Sequence, residues 1–290
     1  MQKTPLVSIV LPTYNHEPYL LESVRSILGC GISDLEVLIC DDCSTDASYA
    51  KCLEGAGLLR DSKIPTGVFQ NKKNLGVAAT MKHLVVKAKG EFICPLASDD
   101  YILPDGVKNR INVFGKNPKT RLVIADCMAV GPESQMLCPS FAEKNNFSHW
   151  DFTKEKIAAT LSIKWDYPLN VQCWKRDFFK VHGGEFEFEP SVFCEDLPAA
   201  LRAGSKEEIG FCQIPCIGYR CKSWPQVSGR CPVTQWKDLG FIYGKYSQLY
   251  TAKSREILRL TGERYYFLSI GETQIAEARW EQALALSQAT

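Results

Sequence analysis

What this sequence has least of is uninterrupted apolar length. Its hydrophobic stretches are strand-sized and broken by polar residues, short of the roughly 20 residues that a membrane-spanning helix needs. The opening segment, MQKTPLVSIVLPTYN, has no long apolar core followed by a small-residue cleavage site. The expectation is a chain without a signal peptide, working in the cytoplasm. A charge excess is missing too. The formal net charge is +1, which gives no ground for a nucleic-acid partner and requires any anionic ligand to be held by a local site. There is no internal repeat and no low-complexity tract. Glycine is absent from the turn after the first strand-like run, where Pro12-Thr13-Tyr14-Asn15 stands. That absence sets aside dehydrogenases, whose grip on a dinucleotide needs a Gly-rich turn there.

What is present describes an ordinary globular enzyme-sized chain. Its 290 residues, 45% apolar and 23% charged, suffice for one large α/β domain with an extension or for two domains sharing a cleft. The 13 cysteines are scattered, and Cys40, Cys94 and Cys127 sit in apolar strand-like runs, so reduced thiols are expected rather than disulfides. Cys212, Cys216 and Cys221 lack the C-x-x-C pair of a structural zinc site.

The first half alternates strand and helix signals. Leu6–Leu11 is a β-rich run ended by Pro12. Pro18–Leu28 carries Leu20, Leu21, Val24, Ile27 and Leu28 at helical spacing. Leu35–Cys40 is a second strand, and Ser44-Thr45-Asp46 can cap the next helix. Thr66–Gln70 reads as an outer strand, Val77–Ala88 as a helix, Glu91–Leu96 and Arg121–Ala125 as further strands, with a helix from Pro104 to about Gly115. Such alternation implies a mostly parallel sheet with right-handed crossovers. Beyond residue 130 the pattern loosens. Residues 131–150 read as loop, 152–162 and 195–203 as short helices, Val171–Trp174 as a return to the sheet, and Ile209–Tyr219 as one or two strands. From Thr234 onward the chain is helical.

Ligands of open parallel sheets bind beyond the carboxyl ends of the strands. Those ends carry Pro12-Thr13-Tyr14-Asn15, Asp41-Asp42 and Ala97-Ser98-Asp99-Asp100. Any one of them alone is an ordinary turn; three on adjacent parallel strands converge, and a shared site explains them better.

The segments VSIVLPTYNHEPYLLESVRSIL, LEVLICDDCSTDAS, NLGVAATMKHLVVKAKGEFICPLASDDYILPD and FCEDLPAALRAG together resemble the family 2 glycosyltransferases. The likeness is dense from Val7 to about Asp105 and patchy to about Ser228. It implies a GT-A fold: a Rossmann-like nucleotide-binding sheet flanked by helices, with a smaller acceptor-side region and a helical C-terminal extension. The expected division is 1–230 for the transferase domain (1–128 for the nucleotide sugar, 129–230 for the acceptor) and 231–290 for the extension.

The same resemblance implies roles for particular residues. Tyr14 would stack on the nucleobase, Pro12, Thr13 and Asn15 would shape its pocket, and Asp42 would accept from a base imide N–H, favouring a UDP- or dTDP-linked donor. Ser98 and Asp99 would hold the donor, and Asp99 with Asp100 would hold Mg2+ or Mn2+, hard cations suited to oxygen ligands and a pyrophosphate partner. Lys82 stands on the donor side where the family commonly has Asn. Arg220, with Lys222, would neutralise phosphate. Asp196 is the expected general base, with Glu195 beside it, and the same pair also suits a helix start before Pro198. Arg202 follows at a spacing that places it near those acids on one helix face. Trp174 and Trp224 read either as an acceptor groove or as core; His83 reads as a helix-surface residue.

The family's processive members carry a Gln-x-x-Arg-Trp signature, absent here, so the resemblance implies a single-sugar transfer, with inversion, to a glycan or lipid-linked acceptor. Ala97 stands where the family often has Asp. That departure keeps a non-catalytic nucleotide-sugar-binding module open as the alternative. For the C-terminal helices, packing on the catalytic domain is the first expectation; peripheral contact with the inner membrane face and a homodimer contact are the others.

Overall fold

The computed structural model describes residues 6–144, 157–163, 168–181, 196–221 and 232–288. The strands are β1 (Val7–Thr13), β2 (Leu35–Asp41), β3 (Thr66–Gln70), β4 (Phe92–Pro95), β5 (Tyr101–Ile102), β6 (Leu122–Val130), β7 (Met136–Cys138), β8 (Gln172–Lys175) and β9 (Ile209–Arg220). Helices α1 (Leu20–Ser26), α2 (Ser48–Asp61), α3 (Val77–Lys87) and α4 (Gly106–Phe114) follow β1, β2, β3 and β5. Short helices α5 (Phe141–Lys144), α6 (Ile157–Ile163) and α7 (Phe178–Val181) precede α8 (Leu197–Ser205). The chain then turns helical as α9 (Pro232–Ser247), α10 (Ala252–Ser269) and α11 (Thr273–Gln288).

All described strands join one sheet, ordered β3-β2-β1-β4-β8-β6-β9-β5, with β7 paired to β6. Strands β1, β2, β3 and β4 run parallel, and Val7 to Thr13 align with Leu35 to Asp41 in unbroken register. Every residue of β2 is buried and nearly every one of β1. A strand covered on both faces reads as a continuous apolar run instead of an alternating one, which is why these two are plain in the sequence. Glu36, within β2, accepts from Ser8 Oγ and from the Lys89 amide, each at 2.6 Å.

Beyond β4 the architecture departs from the simple alternation. Strand β8 does return to the sheet, but it runs antiparallel to both β4 and β6. Strand β6 extends to Val130, past the expected end at Ala125, and pairs in parallel with β9, a single long strand. The stretch expected to be loop after 130 contains β7 and α5. Near β5, Gly218 permits a close crossing: a Cβ there would lie 2.3 Å from the Tyr101 ring.

The C-terminal helices are anchored by buried phenols. Tyr243 Oη donates to the Leu161 carbonyl of α6 and Tyr250 Oη to the Leu201 carbonyl of α8, both at 2.8 Å. Ile242, Tyr243, Tyr246, Tyr250 and Leu258 belong to the same hydrophobic cluster as the sheet. No helix among the described residues is long and apolar enough to cross a membrane.

Candidate active site

Parallel pairing puts the carboxyl ends of β1, β2 and β4 on one edge, and each end continues into a polar turn. The Asp42 amide donates to the Thr13 carbonyl at 2.8 Å and the Leu96 amide to Val10 at 3.0 Å, extending both pairings past the strands. Tyr14 projects from this edge, 42% exposed. Asn15, at φ +54°, stitches the first turn to the second: its Oδ1 accepts from the Thr45 amide at 2.8 Å, and its own amide donates to Ser44 Oγ at 3.0 Å.

Asp42 is buried, and its carboxylate accepts from Asn71 Nδ2 at 2.7 Å and from the Leu75 and Gly76 amides at 2.9 and 2.8 Å. It therefore latches the 71–76 loop just ahead of α3, whose first residue follows Gly76 at φ +84°. The expected base-reading carboxylate thus already holds a loop of the pocket. Its neighbour Asp41 is buried as well, with Oδ2 accepting from Ser44 and Gln70 and Oδ1 lacking a hydrogen-bond partner among the described residues.

The acidic turn after β4 separates its two carboxylates. Asp99 keeps a third of its side chain exposed and faces His16 Nε2 at 3.6 Å, while His16 Nδ1 lies 2.8 Å from Ser98 Oγ. Asp100 is buried. Its Oδ1 accepts from the Arg220 amide at 2.6 Å and its Oδ2 from Asn170 Nδ2. Burial, and then the adjacent Asp99 charge, push the Asp100 carboxyl well above the usual carboxylate range. Burial first, and the Asp99 charge second, disfavour an ionised Asp100, and a hard divalent cation beside these carboxylates would relieve that. Among the described residues no group of three or more His, Cys, Asp or Glu is placed to hold a metal. The residues present fit a cation held by two carboxylates together with substrate phosphates, the usual arrangement for Mg2+.

Asp196 is the N-cap of α8, its Oδ1 accepting from the Leu197 amide at 2.9 Å, with Pro198 in the first turn. The Asp196 carbonyl accepts from Gln172 Nε2 at 2.9 Å. Gln172 stands two residues after Asn170, the partner of Asp100, so one short turn braces the acidic pair and the start of α8 together. That turn is itself held by the buried Arg110, whose Nη1 donates to the carbonyls of Asn170 and Gln172 at 2.9 and 3.1 Å. Sequence reasoning passed over Asn170, Gln172, His16 and Arg110. His16 alone had a signal, its place in the turn after β1.

The other expected residues are distributed as follows. Pro12 and Thr13 end β1, with Thr13 buried. Lys82 is exposed on α3. His83, on the same helix, is half-buried with its ring 5.6 Å from Phe69. Trp174 is fully buried core, its Nε1 donating to Gln172 Oε1 at 2.9 Å. Arg220, expected to meet phosphate, has a side chain only 5% exposed and points its guanidinium at acceptors of the chain itself. Glu195, Lys222 and Trp224 lie outside the described residues.

Residues 8–136, which contain the three strand-end turns, match the family model for glycosyl transferase family 2. Over this segment the chain is similar to glycosyl transferase family 2. The family 2 match thus covers Tyr14, Asp42, Asp99 and Asp100 and stops short of Asp196 and Arg220. Hyaluronan synthase of Pasteurella multocida is 30% identical over 174 residues, 60% of this chain but only 17% of that protein's length. Among solved structures, S. aureus TarS 1–349 in complex with UDP-GlcNAc superposes with a TM-score of 0.68 at 18% identity, over 96% of this chain and 79% of that one. The mannosyltransferase PcManGT of Pyrobaculum calidifontis, in complex with GDP-Man and Mn2+, gives 0.65 at 17% identity, over 98% and 76%. These likenesses establish the fold, which is the GT-A fold.

Proposed function

We propose that this chain transfers a single sugar, with inversion, from a UDP- or dTDP-linked donor to a hydroxyl of a glycan or lipid-linked acceptor. The observation that carries the reading is the bracing of the Asp99–Asp100 turn and the Asp196 cap of α8 by one short segment, through Asn170 and Gln172. A donor-side acid pair and an acceptor-side carboxylate are what an inverting transfer requires on opposite faces of the sugar. TarS bound to UDP-GlcNAc supports a uridine donor, and PcManGT bound to Mn2+ supports a divalent ion.

In this reading Tyr14 offers its exposed ring to the base, worth about 1–3 kcal/mol by stacking. Asp42 accepts from three chain donors, which leaves about one of its four lone-pair sites for a base N–H; its larger share of the work is to hold the 71–76 loop. Pro12, Thr13 and Asn15 shape the pocket floor, and Ser98 keeps His16 beside Asp99. Lys82 lends positive charge to the donor side. Asp99 and Asp100 would hold Mg2+ or Mn2+, which would supply neutralising charge to the departing diphosphate. Asp196 takes the proton from the acceptor hydroxyl as the new bond forms, with Glu195 orienting the acceptor. The acceptor-side half is 129–230, with 231–290 as a helical extension.

Calorimetric titration with UDP, dTDP, GDP and CDP, each with Mn2+ and with EDTA, tests the donor site. UDP or dTDP binding that is strengthened by Mn2+ is expected. Binding indifferent to the cation favours the non-catalytic module, and no binding by any nucleotide removes the transferase reading.

A further inference from the structure

Arg220 is the last residue of β9, and its contacts converge on the acidic turn. Its amide donates to Asp100 Oδ1 and its Nε to the Asp99 carbonyl, both at 2.6 Å. Nη1 donates to the carbonyls of Gly131 and Pro132 at 2.9 Å each. Nη2 donates to Glu22 Oε2 at 2.6 Å and to Ser134 Oγ at 3.1 Å. A guanidinium has five N–H groups, and these contacts use every one. The ring of Tyr19 lies beneath the cation at 4.3 Å, and Ser134 Oγ donates in turn to Glu22 Oε1 at 2.7 Å. The side chain joins four pieces of chain that are remote in sequence: α1, the β4–β5 turn, the β6–β7 turn and the end of β9.

We propose that Arg220 is a positioning residue, which fixes the Asp99–Asp100 turn against α1 and the β6–β7 turn so that the two carboxylates are presented to a divalent cation, without itself touching the donor. The inference rests on the reading of that turn as the cation-holding site. The physical case is one of occupancy and geometry. To meet a phosphate, the guanidinium would have to give up contacts to the Glu22 carboxylate or to main-chain carbonyls in a site with almost no exposure. Its planar fork is what lets one cation satisfy acceptors on several sides at once; an ammonium has the charge but not the fork. Substitutions one shell away from a metal typically weaken its binding about 10–100-fold, and the same scale is expected here.

The test uses the full chain and two variants, Arg220→Lys and Glu22→Gln, with two readouts. Hydrogen–deuterium exchange of the peptide spanning 96–103 is expected to rise by about tenfold or more in Arg220→Lys, and by less in Glu22→Gln, while the β1 peptide stays protected. UDP titration is expected to show the Mn2+-dependent gain falling by about tenfold or more in Arg220→Lys, with affinity in EDTA unchanged. Unchanged exchange at 96–103 overturns the proposal, as does a fall in EDTA affinity equal to that in Mn2+, which marks a direct phosphate ligand. If wild type binds no nucleotide while exchange rises as expected, the positioning role stands and the donor-site reading falls. Should Arg220→Lys fail to fold, Glu22→Gln carries both readouts, and wild-type behaviour in it overturns the proposal.

Discussion

At the residue scale the two carboxylates of the acidic turn are unequal. Asp99 is partly exposed and Asp100 is buried, with its carboxyl raised by burial and by Asp99. A raised folded-state value means that Asp100 keeps its proton at a pH where a surface Asp has lost it. A cation binding there must displace that proton. Cation affinity should therefore climb as pH rises through the Asp100 titration and level off above it; the reverse slope would deny Asp100 a place at the metal. Mn2+ titrations at a series of pH values read this directly. Asp99 and Asp100 were legible in the sequence because they end a short apolar run. The partners that distinguish them were not: Asn170 is 70 residues from Asp100, and Arg220 is 121 from Asp99 and 198 from Glu22. No local pattern encodes contacts of that span.

At the element scale the loops are held by buried carboxylates as much as by the strands. Asp42 binds two amides and one side-chain amide of the β3–α3 loop. Asp42→Ala leaves those donors without their acceptor and should cost about 1–3 kcal/mol, the desolvation penalty of a buried group stranded without a partner. Chemical denaturation measures the loss, and exchange should rise first in 71–76. A change within 0.5 kcal/mol would mean that the loop holds itself. Strands β1, β2 and β4 were readable because parallel strands covered on both faces are written as apolar runs. Strand β5, with Tyr101–Ile102 alone, and β7, with Met136–Cys138, are too short to carry a period. The direction of β8 follows from its pairing with β4 and β6, not from its own residues.

At the scale of the whole molecule, the C-terminal helices are tied to α6 and α8. Tyr250 reaches the Leu201 carbonyl in α8, the helix that Asp196 caps, and Tyr243 reaches α6. Tyr250→Phe removes one buried hydrogen bond and should lower stability by about 1 kcal/mol, seen as a lower denaturation midpoint with the slope unchanged. An unaltered midpoint would argue that the phenol contact adds nothing to the docking of α9 on α8. The helical character of this region was plain from its sequence, while its attachment through two phenols became visible only in the fold.

In the proposed transfer Asp196 takes the acceptor proton while the strand-end turns hold the donor, and one variant separates those two tasks. Asp196→Asn, measured for nucleotide-sugar binding by calorimetry and for donor turnover, including slow hydrolysis, should bind the donor as wild type does. Its turnover should fall by about 10²–10⁴-fold, the usual worth of a general base. Full turnover in that variant would remove Asp196 from the role of general base.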